Sequence, residues 1–500
     1  MASVTRAGLG QSLCIGMGGD IVAGTNLVDS LKVFEQDPET EGIILIGELG
    51  GRAEVDAAEW IKDYNKRTKH PKPIAAILGG VHAPPGRIMG HAGAWTARGE
   101  KTATEKFKIL QDVGVTMVDH PENFGPVMKK LLSKSGRDPG KIVQDAAKQK
   151  SGYHTSTRRP LAEMQRRARN AAQQKRTLVL KPDQAPQVLE PYLSPIENLT
   201  ITSDPAPKTG FYLSVTIDRT ARSPALATAP TSDPSQIRHR IQRFPYSYLT
   251  GPTQETLRAA ISHAQLDAAP PTALAQTSAL LSALAKMHTE KEAITLAADA
   301  SLTPSGNLQL HAPTLHLQFD DSAFKSAQRQ KDISTLRRTQ SEDPDEVEAE
   351  SDGIVFVRLD PSNPSANIGT LVNGAGLAMN TVDALASTHN GLAANFLDTG
   401  GKATSATVKK SFELILRDER VKVIFVNIFG GLTDGGMIAE GVLLAFKEVE
   451  MKGVPVVVRI RGTNEEVGQR IIAESGLGLE AFDGFEEAAR RVVEIARERS

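Results

Sequence analysis

One unit recurs in this chain and constrains its fold more than any other feature. A short hydrophobic strand runs into a Gly-Gly pair, a helix follows, and a second strand ends in a second Gly-Gly pair. The first copy is CIGMGGD (Cys14–Asp20) followed by IILIGELGG (Ile43–Gly51); the second is NFLDTGGK (Asn395–Lys402) followed by IFVNIFGG (Ile424–Gly431). Short continuous apolar runs bounded by turn residues read as strands buried on both faces, as in parallel sheets covered by helices. A βαβα alternation of this kind predicts an α/β fold with doubly wound parallel sheets. Because the unit is duplicated, each copy serves as a control for the other. Features in both copies are scaffold, and a feature in one alone is a candidate for chemistry.

The first α/β region is expected over residues 1–138. LCIGM, GIILIGE, PIAAILGG (Pro73–Gly80) and VTMVDH (Val115–His120) read as its strands. Between the first two, Leu27, Leu31 and Phe34 recur at helical spacing after a start signal at Thr25-Asn26. Residues 139–185 change character: from Lys148 to Lys181 there are ten Lys or Arg and one acid, Glu163. A basic, acid-poor, hydroxyl-rich composition is that of transit peptides. In mid-chain its plain reading is a solvated linker, and the alternative is a targeting segment carried inside by fusion. Residues 186–350 are rich in Pro, Thr, Ala and Ser, with a weak strand at FYLSVTIDR (Phe211–Arg219) and helical patterns at ETLRAAISHAQL and ALAQTSALLSALAKM. They close on an acidic run, SEDPDEVEAESD (Ser341–Asp352), read as a solvated connector. Residues 351–500 return to the βαβ pattern with IVFVRL, IGTLVNGAG, NFLDT, VIFVNIFGG and VPVVVRI.

Composition narrows the function classes. Lys plus Arg (58) nearly balances Asp plus Glu (59), so no global field argues for nucleic acid. The basic stretch has only Tyr153 to stack a base. No apolar run reaches bilayer length. The N-terminus, MASVTRAGLGQSL, has no long apolar core and reads as a candidate organelle transit peptide rather than a secretory signal. The single cysteine, Cys14, excludes an intrachain disulfide and fits a reducing compartment.

Glycine at a strand end lets the backbone approach a ligand closely. In open α/β sheets ligands lie at the carboxyl ends of strands, where helix N-termini present free N–H groups to anions. Gly430-Gly431, before the helix MIAEGVLLAFKEV, is the best such cradle. Any single pair can be a tight turn and nothing more; four pairs in register favour an anion site. NGAGLAM (Asn373–Met379) falls short of a dinucleotide fingerprint. Only the first copy places a histidine, His91, in the run GRIMGHAG; the run set against it, GQRIIAESG, has Glu474 there. A lone histidine is usually structural or exposed, and the chain has 11. Here Gly90 and Gly93 leave the ring unobstructed, and a neutral imidazole nitrogen can attack a phosphoryl group when its other N–H is held. Glu48, in IGELGG, stands where the second copy has Ile428. The two polar departures between the copies are thus a nucleophile and a carboxylate. No second His or Cys stands at ligand spacing, so no metal site is predicted.

At these residues the chain resembles succinyl-CoA synthetase, the succinate–CoA ligase of the citric acid cycle. GQSLCIGMGGD, EGIILIGELGGRAE and GRIMGHAGA resemble the C-terminal half of its α subunit. NIGTLVNGAGLAM, ANFLDTGGKAT and VNIFGGLTDGGMIAEG resemble the C-terminal domain of its β subunit. Through FYLSVTIDR, YLTGP and SEDPDE the middle is similar to the second half of the β subunit's ATP-grasp region. The resemblance implies two flavodoxin-like domains joined by a basic linker and a degenerate partial ATP-grasp region. It also implies a three-step acid–thiol ligase reaction. A nucleoside triphosphate, ATP or GTP, phosphorylates a histidine; the phosphoryl group passes to succinate; CoA displaces it from succinyl phosphate. His91 matches the phosphohistidine and Glu48 its carboxylate partner. Asn373, Gly430 and the run Gly431, Leu432, Thr433 match the β-side substrate and phosphate contacts. CoA as substrate, magnesium, and placement in the mitochondrial matrix follow from the same resemblance. So do partners: the subunits of a complete ligase or a second copy of this chain, with no nucleic acid and no membrane.

The departures from the family shape the expectation. The family's α subunit opens with a CoA-binding Rossmann domain, and this chain starts after it; MASVTRAGLG stands in place of a Ser-rich turn and helix. The front lobe of the ATP-grasp fold is missing. The family's Glu-x-Asn-Pro and Asp-Gly-Lys runs, which hold magnesium and nucleotide, are matched by TLAADASL (Thr295–Leu302) and LHAPTL (Leu310–Leu315), without those carboxylates. Asp434 and Gly435 follow where the family usually has Arg and Cys. The expectation is a ligase chain that draws CoA and nucleotide domains from a partner. The alternative is a catalytically impaired relative acting as an interaction module.

Overall fold

The computed structural model describes residues 1–17, 24–84, 86–90, 93–96, 99–137, 178–320, 329–337, 339–400, 403–430 and 434–500. Three sheets organise them. The first is parallel, in the order β1 (Ile43–Glu48), β2 (Ile74–Gly79), β3 (Thr116–Met117). The helices Leu27–Gln36, Ala53–Arg67 and Ala103–Asp112 cover one face, burying Leu31, Ile61 and Leu110. The helices Ala2–Arg6 and Phe124–Lys134 cover the other through Val4, Phe124 and Met128. The helix expected after Thr25-Asn26 starts at Leu27, because Asn26 accepts the Asp29 N–H (2.8 Å) and Asp29 returns a bond to the Asn26 N–H. The strand expected at LCIGM is not formed. Among the described residues Leu13–Met17 pairs with no strand, and β1 lies at the edge of the sheet. The Gly-Gly pair after it, Gly18-Gly19, lies outside the described residues.

The middle sheet runs β4 (Leu178–Leu180), β11 (His316–Phe319), β9 (Ala293–Leu302), β6 (Phe211–Asp218), β7 (Ser223–Ala229), β8 (Gln242–Pro245). β10 (Leu308–His311) pairs with β9, and β5 (Thr200–Thr202) with β10. The helices Ala185–Leu193, Gln254–His263 and Pro271–Glu290 close a core around Leu213, Leu226, Leu280 and Leu296. β4 corrects the reading of residues 139–185 as linker throughout: Leu178 and Leu180 point inward and pair with β11. Residues 138–177 of that span lie outside the described residues.

The third sheet runs β12 (Val355–Arg358), β15 (Asn395–Asp398), β13 (Ala366–Val372), β16 (Val423–Gly430), β17 (Val456–Gly462), β18 (Glu480–Ala481), with β14 (Leu392–Ala393) beside β13. It is parallel except for β12, and helices cover both faces. The acidic run is not a solvated connector. Residues Pro344–Ser351 form a helix whose Ala349 enters the third core. Arginines make that burial tolerable. Arg358 binds Asp343 (3.0 Å), Asp345 (2.5 Å) and Asp418 (3.0 Å), and Arg417 binds Asp345 (2.7 Å) and Glu348 (2.6 Å). Paired acids of this kind can be buried where isolated ones cannot.

The first and third sheets share an apolar cluster in which Leu49, Leu78 and Met89 pack with Val372, Met379 and Phe396. Small residues let the two sides approach. A Cβ on Gly90, whose φ is +97°, would sit 2.2 Å from the Cβ of Ala375. A polar chain crosses the same boundary. Fully buried Arg459 binds Asn427 (2.9 Å) and Glu122 (3.3 Å), and Glu122 also accepts the Phe485 N–H (2.8 Å).

Candidate functional site at the junction of the three sheets

Glu48 ends β1, and the turn after it carries Gly50 and Gly51 at φ +87° and +62°. Lys106 fixes this turn from below. Its fully buried ammonium donates to the carbonyls of Glu48 (3.1 Å) and Gly50 (2.5 Å) and to the Glu54 carboxylate (2.6 Å). The other Glu54 oxygen accepts the Glu48 N–H (3.1 Å). The loop that carries His91 is closed by a bond from the Met89 N–H to the Ala94 carbonyl (3.0 Å). It lies directly on Gly50, where a Cβ would sit 2.3 Å from the Trp95 carbonyl oxygen and 2.7 Å from that of Gly93. The GELGG turn is therefore clamped against Gly93 and Trp95, the described residues just after His91 and Ala92. His91 itself lies outside the described residues.

The third sheet supplies the facing wall. The Asn373 amide bridges two strand ends: it donates to the Phe429 carbonyl (2.9 Å) and accepts the Phe429 N–H (2.8 Å). This bridge holds the end of β13 beside the end of β16, where Gly430 is the last strand residue. Gly431, Leu432 and Thr433 lie outside the described residues. The helix Ala375–Ser387 then runs against the end of β2. Its Asp383 carboxylate accepts the N–H groups of Gly80 (2.7 Å), Val81 (3.0 Å) and His82 (2.7 Å), and meets the His82 ring Nδ1 at 3.2 Å. That last bond, opposed by partial burial, raises the pKa of His82 above its ordinary value.

The middle sheet contributes Arg219, on the turn between β6 and β7. Its guanidinium donates to the Gly93 carbonyl (3.1 Å) and its stem lies against Gly51. The junction encloses a cavity of about 480 Å³ whose lining includes Glu48, Gly51, Gly93, Arg219, Gly376 and Asn380. It thus brings a carboxylate, an arginine and glycine-rich backbone to one hollow at the carboxyl ends of β1 and β2, where open α/β sheets bind ligands.

The expected anion cradle is not seen whole: Gly431, Leu432 and Thr433 lie outside the described residues. Donors near it already have protein carboxylates. Asp398 accepts from Gly374 (2.5 Å) and Gly400 (2.6 Å), and Asp434 caps the Gly435–Glu448 helix by accepting from Met437 (3.0 Å). The bonds to Met437 and to the Asn464 amide hold the Asp434 carboxyl below the usual range. The comparison of Glu474 with His91 also fails. Glu474 closes the Glu465–Glu474 helix, whereas Arg87–Gly90 has no helix. Glu48 and Ile428 do correspond, each on a strand that leads into Gly-Gly.

Sequence reasoning missed Asp383, Lys106 and Arg219. Two of these leave a trace in pattern. Lys106 falls on the buried face of its helix with Ala103 and Leu110, and Asp383 is an acid inside the apolar run MNTVDALA. Arg219 has no such signal, because only the fold carries a middle-sheet turn to Gly93. Among the described residues no group of three or more His, Cys, Asp or Glu could hold a metal ion. TLAADASL is most of β9, and its one acid, Asp299, is buried. The described residues do not group as a magnesium site. No described helix is long and apolar enough to cross a membrane.

Residues 1–116 and 371–493 match the CoA-ligase family. The ADP-forming succinate–CoA ligase subunit beta of Staphylococcus epidermidis is 45% identical over 197 residues, 39% of this chain and 48% of the relative. That of Halalkalibacterium halodurans is 42% identical over 214 residues, 43% of this chain and 53% of the relative. The chain spans about half the length of the curated relatives it matches. An ATP citrate lyase from Methanothrix soehngenii, solved with citrate and coenzyme A, aligns with 59% of this chain and 73% of its own at 17% identity and a TM-score of 0.43. The likeness to succinyl-CoA synthetase read from the motifs is thus shown, with the CoA-ligase pattern at both ends of the chain. The expected mitochondrial placement is overturned, since these relatives are bacterial.

Proposed function

With the CoA-ligase pattern at both ends of the chain as premise, we propose that this protein is a succinate–CoA ligase chain whose chemistry runs through His91. The observation that carries the reading is the clamp of the GELGG turn onto Gly93 and Trp95, beside Gly90, which packs on Ala375 of the third-sheet helix Ala375–Ser387. In the direction of succinate release, phosphate attacks the acyl carbon of succinyl-CoA and the CoA thiolate leaves. The imidazole of His91 then takes the phosphoryl group from succinyl phosphate, and succinate departs as its carboxylate. Glu48 holds the far ring N–H, so that the attacking nitrogen carries its lone pair and the imidazolium formed is stabilised. Asn373, Gly430, Gly431, Leu432 and Thr433 serve the phosphoryl group from the third-sheet side, and Arg219 adds positive charge beside it. CoA and nucleotide are handled by the subunits of a complete ligase or by a second copy of this chain.

A second reading is a non-catalytic interaction module of the same ligase. Its support is that Asp398 and Asp434 already occupy N–H groups near the expected phosphate contacts, those of Gly374 and Met437. One experiment decides between the readings. The full chain is incubated with succinyl-CoA and labelled phosphate, or with magnesium, nucleotide and a complete ligase, and assayed for acid-labile phosphate. The ligase reading expects label that is lost in His91→Asn. No label from either donor overturns the ligase reading.

A further inference from the structure

A second cavity, of about 480 Å³, lies between the middle sheet and the segment that joins β2 to the Ala103–Asp112 helix. Its floor is the sheet face opposite the middle core. Along β6, Leu213 and Val215 enter that core, so by alternation Tyr212, Ser214 and Thr216 turn to the cavity. Thr295 of β9 and Gln318 of β11 join them, and Ser214, Thr295 and Gln318 are all buried. The other end of the floor is apolar: Tyr212 and Ala297 pack there with Ile237 and Ile241. The roof is Ile88, Trp95 and Glu100, and Arg238 and Arg243 also line the space. An enclosed hollow with one polar and one apolar end suits an amphipathic small molecule.

Two donors on its walls lack acceptors. The Trp95 indole N–H and the Arg243 Nε–H are buried and make no hydrogen bond. Trp95 is 8% exposed, and a donor left unpaired at that depth is costly. Charge sets the sign of what would pair them. Arg238 and Arg243 line the cavity with one acid, Glu100. Glu100 accepts the Gly51 N–H (3.1 Å) and stands 3.9 Å from Arg243, so it is already committed and does not offer itself to a metal ion. β9, the strand set against the family's magnesium and nucleotide run, turns Thr295 and Ala297 to this space and no carboxylate. We propose that the cavity binds a small organic monoanion, a carboxylate on an aromatic body, without metal. The carboxylate takes the Arg243 and Trp95 donors, and the body lies on Ile237 and Ile241. The site is joined to the junction through two residues. Glu100 holds Gly51, and the Trp95 carbonyl oxygen lies 2.3 Å from where a Cβ on Gly50 would sit. A ligand that fixes Trp95 and Arg243 therefore stiffens the turn after Glu48. That coupling belongs to the fold, and only its use in phosphoryl transfer rests on the ligase reading.

The test uses the full chain carrying Trp60→Phe, which leaves Trp95 as its only indole. Hydrocinnamate is the probe, hydrocinnamide the neutral control and magnesium ATP the competitor. The expected result is a saturable change in indole emission with hydrocinnamate and slower amide exchange at Gly51. Hydrocinnamide should bind more weakly by about tenfold or more, and magnesium ATP should not displace the probe. Arg243→Met removes the guanidinium and should weaken the probe by about tenfold, a 1.4 kcal/mol change. Trp95→Phe, followed by calorimetry, keeps an aromatic ring and removes the N–H donor. It should weaken the probe as well, and it covers the case in which Arg243→Met does not fold. No saturable change, equal binding of hydrocinnamide, displacement by magnesium ATP, or undiminished binding by either folded variant would overturn the proposal. So would binding that leaves exchange at Gly51 unchanged, which would place the probe elsewhere.

Discussion

Asp383→Asn is the most direct perturbation of the junction. One carboxylate oxygen accepts the Gly80 and Val81 N–H groups, and the other accepts the His82 N–H and faces its ring. Asparagine keeps a single acceptor, so whichever way it turns, one pair of donors meets an NH2 group. Asp383 is buried, and removing one partner of a buried charged network costs about 3–5 kcal/mol. At 1.4 kcal/mol per tenfold, the amides of Gly80, Val81 and His82 should exchange roughly a hundred to a few thousand times faster in the variant. A second readout separates this from general loosening. The raised His82 pKa depends first on its bond to Asp383, so the ring should titrate nearer its ordinary value in Asp383→Asn. The sign is fixed: the His82–Asp383 pair stabilises fully below the unfolded histidine pKa, and its contribution fades as pH rises through the higher folded value. In the variant that pH dependence should vanish. If the three amides keep their protection, or if they lose no more than amides elsewhere in the first sheet, the carboxylate is not what joins the two sheets there.

Two further outcomes follow from buried and exposed charge. Lys106→Met strands the Glu54 carboxylate and two carbonyls and should cost about 3–5 kcal/mol in denaturant titrations, most of it recovered by adding Glu54→Leu; no recovery would mean the lysine acts through the carbonyls alone. Glu348 is held down to about 2 from 4.5 by hydrogen bonds to Arg417 and Lys410. Its contribution is therefore present above the unfolded value near 4.5 and is lost as pH falls toward 2. The thermal midpoint should drop across that window in the wild type and drop less in Glu348→Gln.

The parts legible in the sequence are those in which local chemistry and global packing agree. The Asn26 cap, the buried run Ile74–Gly79 and the strands β12, β13, β15, β16 and β17 of the third sheet were readable, because period, turn residues and caps point the same way. LCIGM misled for a physical reason. An apolar run is a strand only when a neighbour pairs with it, and no property of five residues reveals whether one does. The acidic run misled because its charges were read without their partners; Arg358 and Arg417 lie too far along the chain to enter a local pattern. At the candidate site, Glu48 and the glycines were visible as differences between copies. Asp383 and Arg219 act across boundaries between sheets, where contact is set by topology and not by spacing.

The carboxylates at the junction bear on how a phosphoryl carrier would work here. Glycine-rich strand ends gather N–H groups, and this chain has placed a carboxylate on several of them: Glu54 on Glu48, Asp383 on Gly80 to His82, Asp398 on Gly374 and Gly400, and Asp434 on Met437. A phosphoryl dianion arriving at any of these donors must displace an existing charge-assisted bond, so it binds there more weakly than at an open helix N-terminus. Weak holding is not a defect in a carrier. Binding a phosphorylated intermediate more tightly than the transition states on either side deepens a well and slows transfer. With these described donors satisfied the junction stays ordered while empty, and under the proposed transfer the phosphoryl group would be stabilised by contacts made only as it moves.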